Sequence, residues 1–285
     1  MGYMHIENLY RNQEILKFPV CYALEKIHGT SAHISWDGKK VGFYSGGAKR
    51  DEFVSLFDKD LLTGRFQDFK LPSMIIYGEA YGGKMQGMGD TYGDSLKFVV
   101  FDVKQLGTFV NLDYARNIAW LLRLEFVDYT RIPTTLEAID AERDRPSTQA
   151  KRNGILEDRI REGVVLRPLT EQVDYRGNRV IAKHKRVEFS ERQHSPKVVD
   201  PAKWEVQVKA TEIADEWVTE MRLKHVLDKL RQPHTIELMR QVISAMNEDV
   251  AREGAGEYVS SKEVISAIST RTAKLYKRYL YEQID

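Results

Sequence analysis

The chain has 285 residues, a length that predicts about two domains at the usual domain size. Hydrophobic residues make up 42% of the chain and aromatic residues 10%, which excludes global disorder and allows a sizeable core. The formal net charge is only +1, so any affinity for nucleic acid has to come from local clusters of lysine and arginine.

Cysteine usage and hydropathy exclude further classes. Cys21 is the only cysteine, which excludes an intrachain disulfide and a Cys-cluster zinc or iron–sulfur site and favours a reduced compartment. No run approaches the roughly 18 apolar residues of a membrane span. The polar stretch from Met1 to Tyr10 lacks the apolar centre of a signal peptide. We therefore expect a soluble, cytoplasmic protein.

The first two-thirds of the chain has the patterns of β-strands. A short apolar run at Val20–Leu24 is followed by alternation over residues 31–45, which the Asp37-Gly38 turn interrupts, and this predicts a hairpin. Met74–Glu79 and Leu96–Val103 are apolar runs typical of buried strands.

The middle of the chain is mixed. Apolar residues at three- and four-residue steps predict a helix over Asp113–Leu124, and the charged stretch Glu142–Arg152 predicts a solvated helix or loop. Val164–Leu166 and Val180–Ala182 flank a turn at Tyr175–Asn178, which predicts a second hairpin.

From about Val206 the apolar spacing becomes helical. The predicted stripes are Ala210, Ile213, Trp217 and Met221; then Ile236, Met239, Ile243, Met246 and Val250 after a Thr235 cap; then Val264, Ile268, Leu275 and Tyr279. Ser260-x-x-Glu263 has the spacing of a capping box ahead of the last stripe. His194–Lys203, with two prolines, is the predicted linker, so we expect domains at 1–200 and 201–285.

Charged residues at the predicted strand ends form the candidate site. Lys26 lies in Glu25-Lys26-Ile27-His28-Gly29, Glu79 ends a buried strand, Glu162 leads into another, and Lys183 and Lys185 share one strand face. Taken singly, a turn lysine, an edge glutamate or alternating edge lysines are all typical of solvated surface.

The ordered set is far more specific than its parts. Lys-x-His-Gly, Tyr-Gly-Glu, Phe-x-x-Phe-Asp, Glu-Gly-Val-Val and Lys-x-Lys follow one another along roughly residues 20–190. This set resembles the covalent nucleotidyltransferase superfamily, which contains ATP-dependent ligases and messenger-RNA capping enzymes. His28, where many relatives have Asp, resembles the RNA ligase 2 class. The helical tail is also similar to that class, because an OB barrel would need strands that residues 206–285 lack.

The resemblance implies an α+β fold. Its first domain is a nucleotidyltransferase domain, also described as an ATP-grasp-like ligase adenylation domain, with mainly antiparallel sheets. Its second is a small all-helical C-terminal domain. The implied activity is that of an ATP-dependent RNA ligase with Mg²⁺, or Mn²⁺, as the metal. Such an enzyme seals 3′-hydroxyl and 5′-phosphate ends through a lysyl-adenylate and an RNA-adenylate. The expected partners are ATP and RNA, the latter as a nicked duplex. The protein is expected to be a monomer and to act in RNA repair.

The resemblance also assigns roles to the site. Lys26 would attack the α-phosphate of ATP, and since a free lysine has a pKa of about 10.4, it needs activation by nearby charge or by desolvation. Lys183 and Lys185 would touch the α-phosphate. Glu25 and Ile27 would complete the nucleotide pocket beside Lys26.

Two carboxylates and a histidine complete the implied chemistry. Glu79 would accept hydrogen bonds from the ribose hydroxyls, and Glu162 would lie near the reacting lysine. Both would hold a hydrated metal through water, which suits Mg²⁺. His28 would orient the pyrophosphate or the adenylate phosphate, unless it is an ordinary turn histidine.

Three assignments stay open. Phe98 and Phe101 face opposite sides of one strand, and relatives favour Phe101 for stacking on adenine, although both could belong to the core. Relatives carry an arginine after the first hairpin, and here Lys49 or Arg50 could replace it. Gly46-Gly47 could bring backbone N–H groups near phosphate or form a plain turn.

Basic residues offer two candidate RNA surfaces, each of which could equally be an ordinary solvated face. The first is Lys183, Lys185, Arg186, Arg192 and Lys197, and the second is Arg222, Lys224, Lys229 and Arg231. The alternative functions are a DNA ligase or a capping guanylyltransferase of the same superfamily, or a non-catalytic RNA-binding relative.

Overall fold

A computed structural model describes residues 2–189, 201–230 and 232–283. The chain forms two compact units, Met1–Val198 and Val199–Asp285. Residues 194–200 of the predicted linker lie outside the described residues, and its last residues belong to the first helix of the second unit. The domain division at residue 200 stays a prediction.

Two antiparallel sheets form the first unit, which confirms the predicted α+β class. The strands are β1 (Val20–Lys26), β2 (Thr30–Trp36), β3 (Val41–Tyr44), β4 (Met74–Tyr81), β5 (Lys97–Gln105), β6 (Thr108–Phe109), β7 (Tyr129–Pro133), β8 (Gly163–Pro168) and β9 (Ala182–Lys185). One sheet has the order β7-β1-β8-β9 and the other the order β3-β2-β4-β5-β6, and all neighbouring strands are antiparallel.

The first predicted hairpin is confirmed, since β2 pairs with β3 from Trp36 opposite Val41 to His33 opposite Tyr44. The Asp37 carboxylate accepts two backbone N–H groups in the turn, which fixes the connection. The second hairpin is confirmed as a pairing of β8 with β9. Its second strand is displaced, however, because β9 begins at Ala182 and excludes Val180 and Ile181.

Short helices cover the sheets of the first unit. They are α1 (Arg50–Val54), α2 (Lys59–Asp68), α3 (Gly89–Tyr92), α4 (Leu112–Leu121), α5 (Leu136–Arg143) and α6 (Thr148–Arg152). The predicted helix at Asp113–Leu124 is α4, which packs apolar side chains onto the five-stranded sheet together with α2. A second apolar cluster, which includes Leu24, Tyr81 and Val99, joins residues of the two sheets.

The prediction that Glu142–Arg152 is solvated was wrong for its central residues. Glu142, Ser147 and Gln149 are buried, because their polar groups find partners inside the protein. Arg161 donates to Glu142 at 3.0 Å, and Gln149 donates to the Tyr81 hydroxyl at 2.8 Å. Hydrogen bonds inside the protein offset much of the cost of burying polar side chains, and a composition pattern does not reveal such partners.

The second unit is helical. It contains α7 (Pro201–Trp217), α8 (Glu220–Leu230), α9 (Met239–Glu253) and α10 (Lys262–Glu282) around its own apolar core. The stripe that was predicted to continue to Met221 ends earlier, and Met221 is exposed at the start of α8. The predicted capping box is shifted by one residue, since the Ser261 hydroxyl, not that of Ser260, accepts the Val264 N–H.

None of the helices in the described ranges combines the length and the apolar character that crossing a bilayer requires.

Candidate active site

A cavity of about 400 Å³ lies in the first unit and is lined by strands of both sheets. Its apolar lining includes Leu24, Ile27, Val99, Phe101, Val127 and Val165. Its polar lining includes Lys26, Glu79 and Lys183. A largely apolar cavity of this size with a few charged groups is typical of a small-molecule site, and a nucleotide matches its division into apolar and charged parts.

Strand register brings the two sheet-end lysines to one place. Lys26, the last residue of β1, lies opposite Gly163 of β8, and Gly163 lies opposite Lys185 of β9. A Cβ on Gly163 would overlap the His184 carbonyl oxygen, so this position requires glycine. The Glu-Gly pair in the sequence therefore has a steric cause, which is the close approach of β8 and β9 beside Lys26.

Glu162 is the centre of an ionic cluster, which we call the Glu162 cluster. Its carboxylate lies 3.1 Å from Lys26 Nζ, 3.1 Å from His28 Nδ1 and 2.8 Å from Lys185 Nζ. Burial alone would raise the pKa of Glu162, but His28, Lys26 and Lys185 outweigh it and lower the pKa to about 2. Glu162 is thus ionised at neutral pH and holds three potential cations around one buried anion.

Glu79, on β4, is in the opposite electrostatic situation. Burial raises its pKa to about 7, and Lys26 and the Gly29 N–H offset this only in part. The Gly29 N–H donates to Glu79 at 3.1 Å. A Cβ on Gly29 would overlap the Ala80 carbonyl oxygen, which explains the glycine that ends the Lys-x-His-Gly motif. Glu79 therefore keeps its proton to a much higher pH than an exposed glutamate does.

His28 is held in place by its surroundings rather than exposed on a free turn. Its backbone N–H donates to the Tyr92 hydroxyl at 3.3 Å, and its ring lies edge-on to Phe189 with centroids 5.3 Å apart. Together with the contact to Glu162, these interactions place the imidazole beside Lys26.

The two lysines of β9 lie on one face, as the period of two predicts. Lys183 lines the cavity and Lys185 contacts Glu162, whereas His184 points the other way and contacts Asp140 at 2.7 Å. The neighbouring Glu25 also differs from Lys26. Its side chain is buried and accepts the Ser147 hydroxyl and the backbone N–H groups of Thr148 and Gln149 at the start of α6.

The two candidate phenylalanines separate as expected from their spacing. Phe101 lines the cavity, whereas Phe98 packs edge-on against Phe53 and Phe57 on the other side of the sheet. Only Phe101 is therefore placed to face a bound base. Ile27, beside Lys26, also lines the cavity.

The residues after the first hairpin lie elsewhere. Arg50 donates to the Phe43 carbonyl oxygen at 3.0 Å, Lys49 precedes α1, and neither lines the cavity. Gly46 has a φ of +57°, and the Gly47 N–H donates to the Thr30 hydroxyl at 2.9 Å. In this arrangement the glycines form a tight turn, and the assignment of an arginine substitute stays open.

Several cavity residues had no predicted role. Tyr3, Met4, His5 and Ile6 of the N-terminal segment line the cavity, as do Asp102 and Arg167. Asp102 was part of a motif, and its burial between strands could have suggested a partner. No sequence signal marks the polar N-terminal segment as part of a site.

The candidate metal ligands fit a hydrated metal better than a directly ligated one. Within the described residues, no group of three or more His, Cys, Asp or Glu side chains is arranged to hold a metal ion. Glu162 already contacts two lysines and a histidine. A Mg²⁺ ion keeps several waters and binds chiefly to substrate phosphates, so the two acidic residues suffice for contacts through water.

The comparison with known families covers most of the first unit. The RNA ligase family matches residues 20–185, which are more than half of the chain. No curated protein matches the chain.

Solved structures of an RNA ligase from Naegleria gruberi share the fold. The structure with PPi has a TM-score of 0.51 at 15% identity and covers 66% of this chain and 57% of that chain. A mutant of the same ligase with AMP and Mn gives 0.51 at 14% identity, and another with ATP and Mn gives 0.50 at 13% identity, with the same shares covered. The likeness thus spans little more than half the length of those chains and shows the fold alone. With the family match over residues 20–185, this protein belongs to the RNA ligase family.

Proposed function

We propose that the protein is an ATP-dependent RNA ligase that joins a 3′-hydroxyl to a 5′-phosphate. The observation that carries this proposal is the position of Lys26. It lines a nucleotide-sized cavity and contacts a buried carboxylate that also holds Lys185. A lysine, a cationic neighbour and an adjoining apolar pocket are what covalent transfer of a nucleoside monophosphate to an amine requires.

In the proposed first step, Lys26 Nζ loses a proton and attacks the α-phosphorus of ATP. A nitrogen–phosphorus bond forms, the bond to the bridging oxygen breaks, and pyrophosphate leaves. Lys183 and Lys185 bind the oxygens on which negative charge develops, and His28 lies where it can orient the leaving phosphates. A bound Mg²⁺ would supply further positive charge to the phosphates, with Glu79 and Glu162 holding its waters.

The nucleoside part would occupy the apolar end of the cavity. Phe101 is placed to stack on adenine, Ile27 contacts the same region, and Glu79 would accept the ribose hydroxyls. The buried Glu25 side chain is already saturated by α6, so it supports this wall, and its contribution to binding comes from its backbone.

The later steps of the proposal need RNA. The 5′-phosphate of one end attacks the lysyl-adenylate to give an RNA-adenylate, and the 3′-hydroxyl of the other end then displaces AMP. A nick in duplex RNA presents both ends next to each other, and such a duplex is recognised largely by its shape and 2′-hydroxyls. Lys185 and Arg186 begin the proposed RNA surface, while Arg192 and Lys197 lie outside the described residues.

Adenylation tests the proposal directly. Purified protein with α-labelled ATP and Mg²⁺ is expected to form a covalent protein adenylate that survives denaturation of the protein, and Lys26→Ala is expected to abolish it. Lys39→Ala, in the exposed turn of the first hairpin, is the matched control and should adenylate normally. An undiminished adenylate in Lys26→Ala would remove the nucleophile from the proposal.

The substrates separate the alternative functions. Labelling with GTP instead of ATP would indicate a capping guanylyltransferase. Nicked duplexes with RNA or DNA on either side of the break would distinguish an RNA ligase, expected to seal the all-RNA nick fastest, from a DNA ligase. RNA binding without any adenylate would indicate a non-catalytic relative.

A further inference from the structure

Residues 3–9 lie outside the helices and strands of the first unit, and we call them the N-terminal strap. Its first four residues, Tyr3 to Ile6, line the same cavity as Lys26 and Phe101. The strap therefore belongs to the walls of the candidate nucleotide site, although the matched family region begins only at residue 20.

Tyr3 anchors one end of the strap. Its hydroxyl donates to Asp102 Oδ2 at 2.6 Å and accepts a hydrogen bond from Arg179 Nη1 at 2.8 Å. Its ring lies edge-on to Phe101 and to Tyr77, with centroids 4.9 Å apart in both pairs. Burial and the neighbouring Asp102 raise the pKa of Tyr3, so the hydroxyl stays protonated and can keep donating.

The other end of the strap is hydrogen-bonded to β9. The Lys183 N–H donates to the Glu7 carbonyl oxygen at 2.9 Å, and the Leu9 N–H donates to the Lys183 carbonyl oxygen at 2.8 Å. Leu9 is completely buried, which fixes this end in the core. Both backbone groups of a proposed phosphate-binding lysine are thus taken by the strap.

Between these anchors the strap has little support of its own. Met4, His5 and Ile6 make no backbone–backbone hydrogen bond within the part of the chain that the structure describes. Their position is set by Tyr3 on one side and by the pairing with Lys183 on the other. Loss of the Tyr3 anchor would therefore free the wall that faces the nucleoside end of the cavity.

We propose that the N-terminal strap is part of the nucleotide site and that Tyr3 is a positioning residue that holds the Phe101 ring in the orientation that accepts the base. This inference rests on the proposed function. Phe101 is only partly buried, so its ring could adopt several orientations. The edge contact with Tyr3 restricts the Phe101 ring before the nucleotide binds, which lowers the entropy cost of binding. Preorganisation of this kind strengthens binding without touching the reacting atoms.

The test measures KM for ATP and the maximal rate of adenylate formation in three variants. Tyr3→Ala removes the ring, and we expect KM to rise about tenfold while the maximal rate changes by less than about threefold. Tyr3→Phe keeps the ring but not the hydroxyl, and it should restore most of the loss in KM. Tyr10→Ala removes an aromatic residue that directly follows the strap and does not line the cavity, and this variant should keep the wild-type KM.

Stability measurements separate positioning from folding. Both Tyr3 variants are expected to unfold at a lower temperature, because Asp102 and Arg179 lose a partner or a packing neighbour. A purely structural role would lower the unfolding temperature of Tyr3→Ala and leave KM unchanged, which would overturn the inference.

The proposed function can fail separately. If wild-type protein forms no adenylate, the stabilisation of the protein against heat by ATP replaces KM as the measure. A normal ATP-induced shift in Tyr3→Ala would then contradict the inference, and a reduced shift in that variant alone would support it.

Discussion

Two ionic clusters of the first unit differ in charge balance and in the exposure of their cationic side chains. In the Glu162 cluster, one carboxylate faces Lys26, His28 and Lys185, and the two lysine side chains are 22% and 19% exposed. In the second, which we call the Asp102 cluster, Asp102 and Glu171 balance Arg167 and Arg179, whose side chains are only 1% and 6% exposed.

This difference indicates that the Glu162 cluster belongs to the candidate active site and that the Asp102 cluster mainly stabilises the fold. In the Asp102 cluster two carboxylates neutralise two nearly inaccessible guanidinium groups, so little charge is left over for an anionic ligand, although Asp102 and Arg167 also line the cavity. The Glu162 cluster has two lysines for one carboxylate, and its Lys26 lines the cavity, so it keeps positive charge for an anionic ligand such as a triphosphate. We therefore expect mutations in the Asp102 cluster to act on folding and mutations in the Glu162 cluster to act on chemistry.

The largest effect is expected from Asp102→Asn. It removes a buried charge that contacts both Arg167 and Arg179, and breaking such a pair costs about 3 kcal/mol or more of unfolding free energy. Denaturant unfolding monitored by circular dichroism measures this cost. A stability within about 0.5 kcal/mol of wild type would show that Glu171 alone satisfies the arginines.

Glu162→Gln is expected to act mainly on adenylation. The variant keeps the shape but loses the anion that holds Lys26 and Lys185 together, so the rate of adenylate formation should fall about 100-fold. Single-turnover labelling with ATP measures the rate. If this variant lost folding stability as severely as Asp102→Asn while its folded fraction reacted normally, the contrast between the two clusters would be wrong.

Glu79 and Glu162 should give opposite dependences of stability on pH. The pKa of Glu79 is raised from 4.5 to about 7, so its contribution is complete below pH 4.5 and is lost as the pH rises through 7. The pKa of Glu162 is lowered from 4.5 to about 2, so its contribution is present above pH 4.5 and is lost as the pH falls through 2.

Thermal unfolding of Glu79→Gln beside wild type checks the first half of this prediction. The variant cannot lose a proton at this position, so its stability should fall less between about pH 5 and about pH 8 than that of the wild type. Parallel curves for the two proteins would mean that Glu79 is already ionised in the folded, nucleotide-free state.

The smallest effect is expected from Ser261→Ala in the second unit. The Ser261 hydroxyl caps α10 by accepting the Val264 N–H, and loss of such a cap costs about 1 kcal/mol. Calorimetric unfolding measures the cost, and adenylation per folded molecule should be unchanged. A lower adenylation rate would show that the second unit takes part in the first step.

Much of the site was predictable because its residues end strands that have clear local patterns. The alternation of residues 31–45 and the apolar runs before Glu79 and after Glu162 depend on neighbours in the chain, and the structure contains the corresponding strands. The spacing of Phe98 and Phe101 likewise predicted opposite faces, which the structure has.

Other features depend on partners far away in the chain. The charged stretch around Glu142 and Gln149 was expected to be solvated, yet Arg161 and Tyr81 bury it by hydrogen bonding. No sequence pattern predicted the role of the N-terminal strap, because Tyr3 is held in place by hydrogen bonds to Asp102 and Arg179, which are far away in the chain.

The sequence by itself determined the strands β1 to β5 and β8, the helical C-terminal region and the identity of the charged residues at the strand ends, because periodicity and motif order are properties of neighbouring residues. Only the tertiary structure decided which of those charges meet. Lys26, Glu162 and Lys185 are brought together by strand register, and Asp102 meets Arg179 across the fold. Whether a charge is neutralised by its neighbours or left in excess beside a cavity depends on such long-range pairing, which no local pattern encodes.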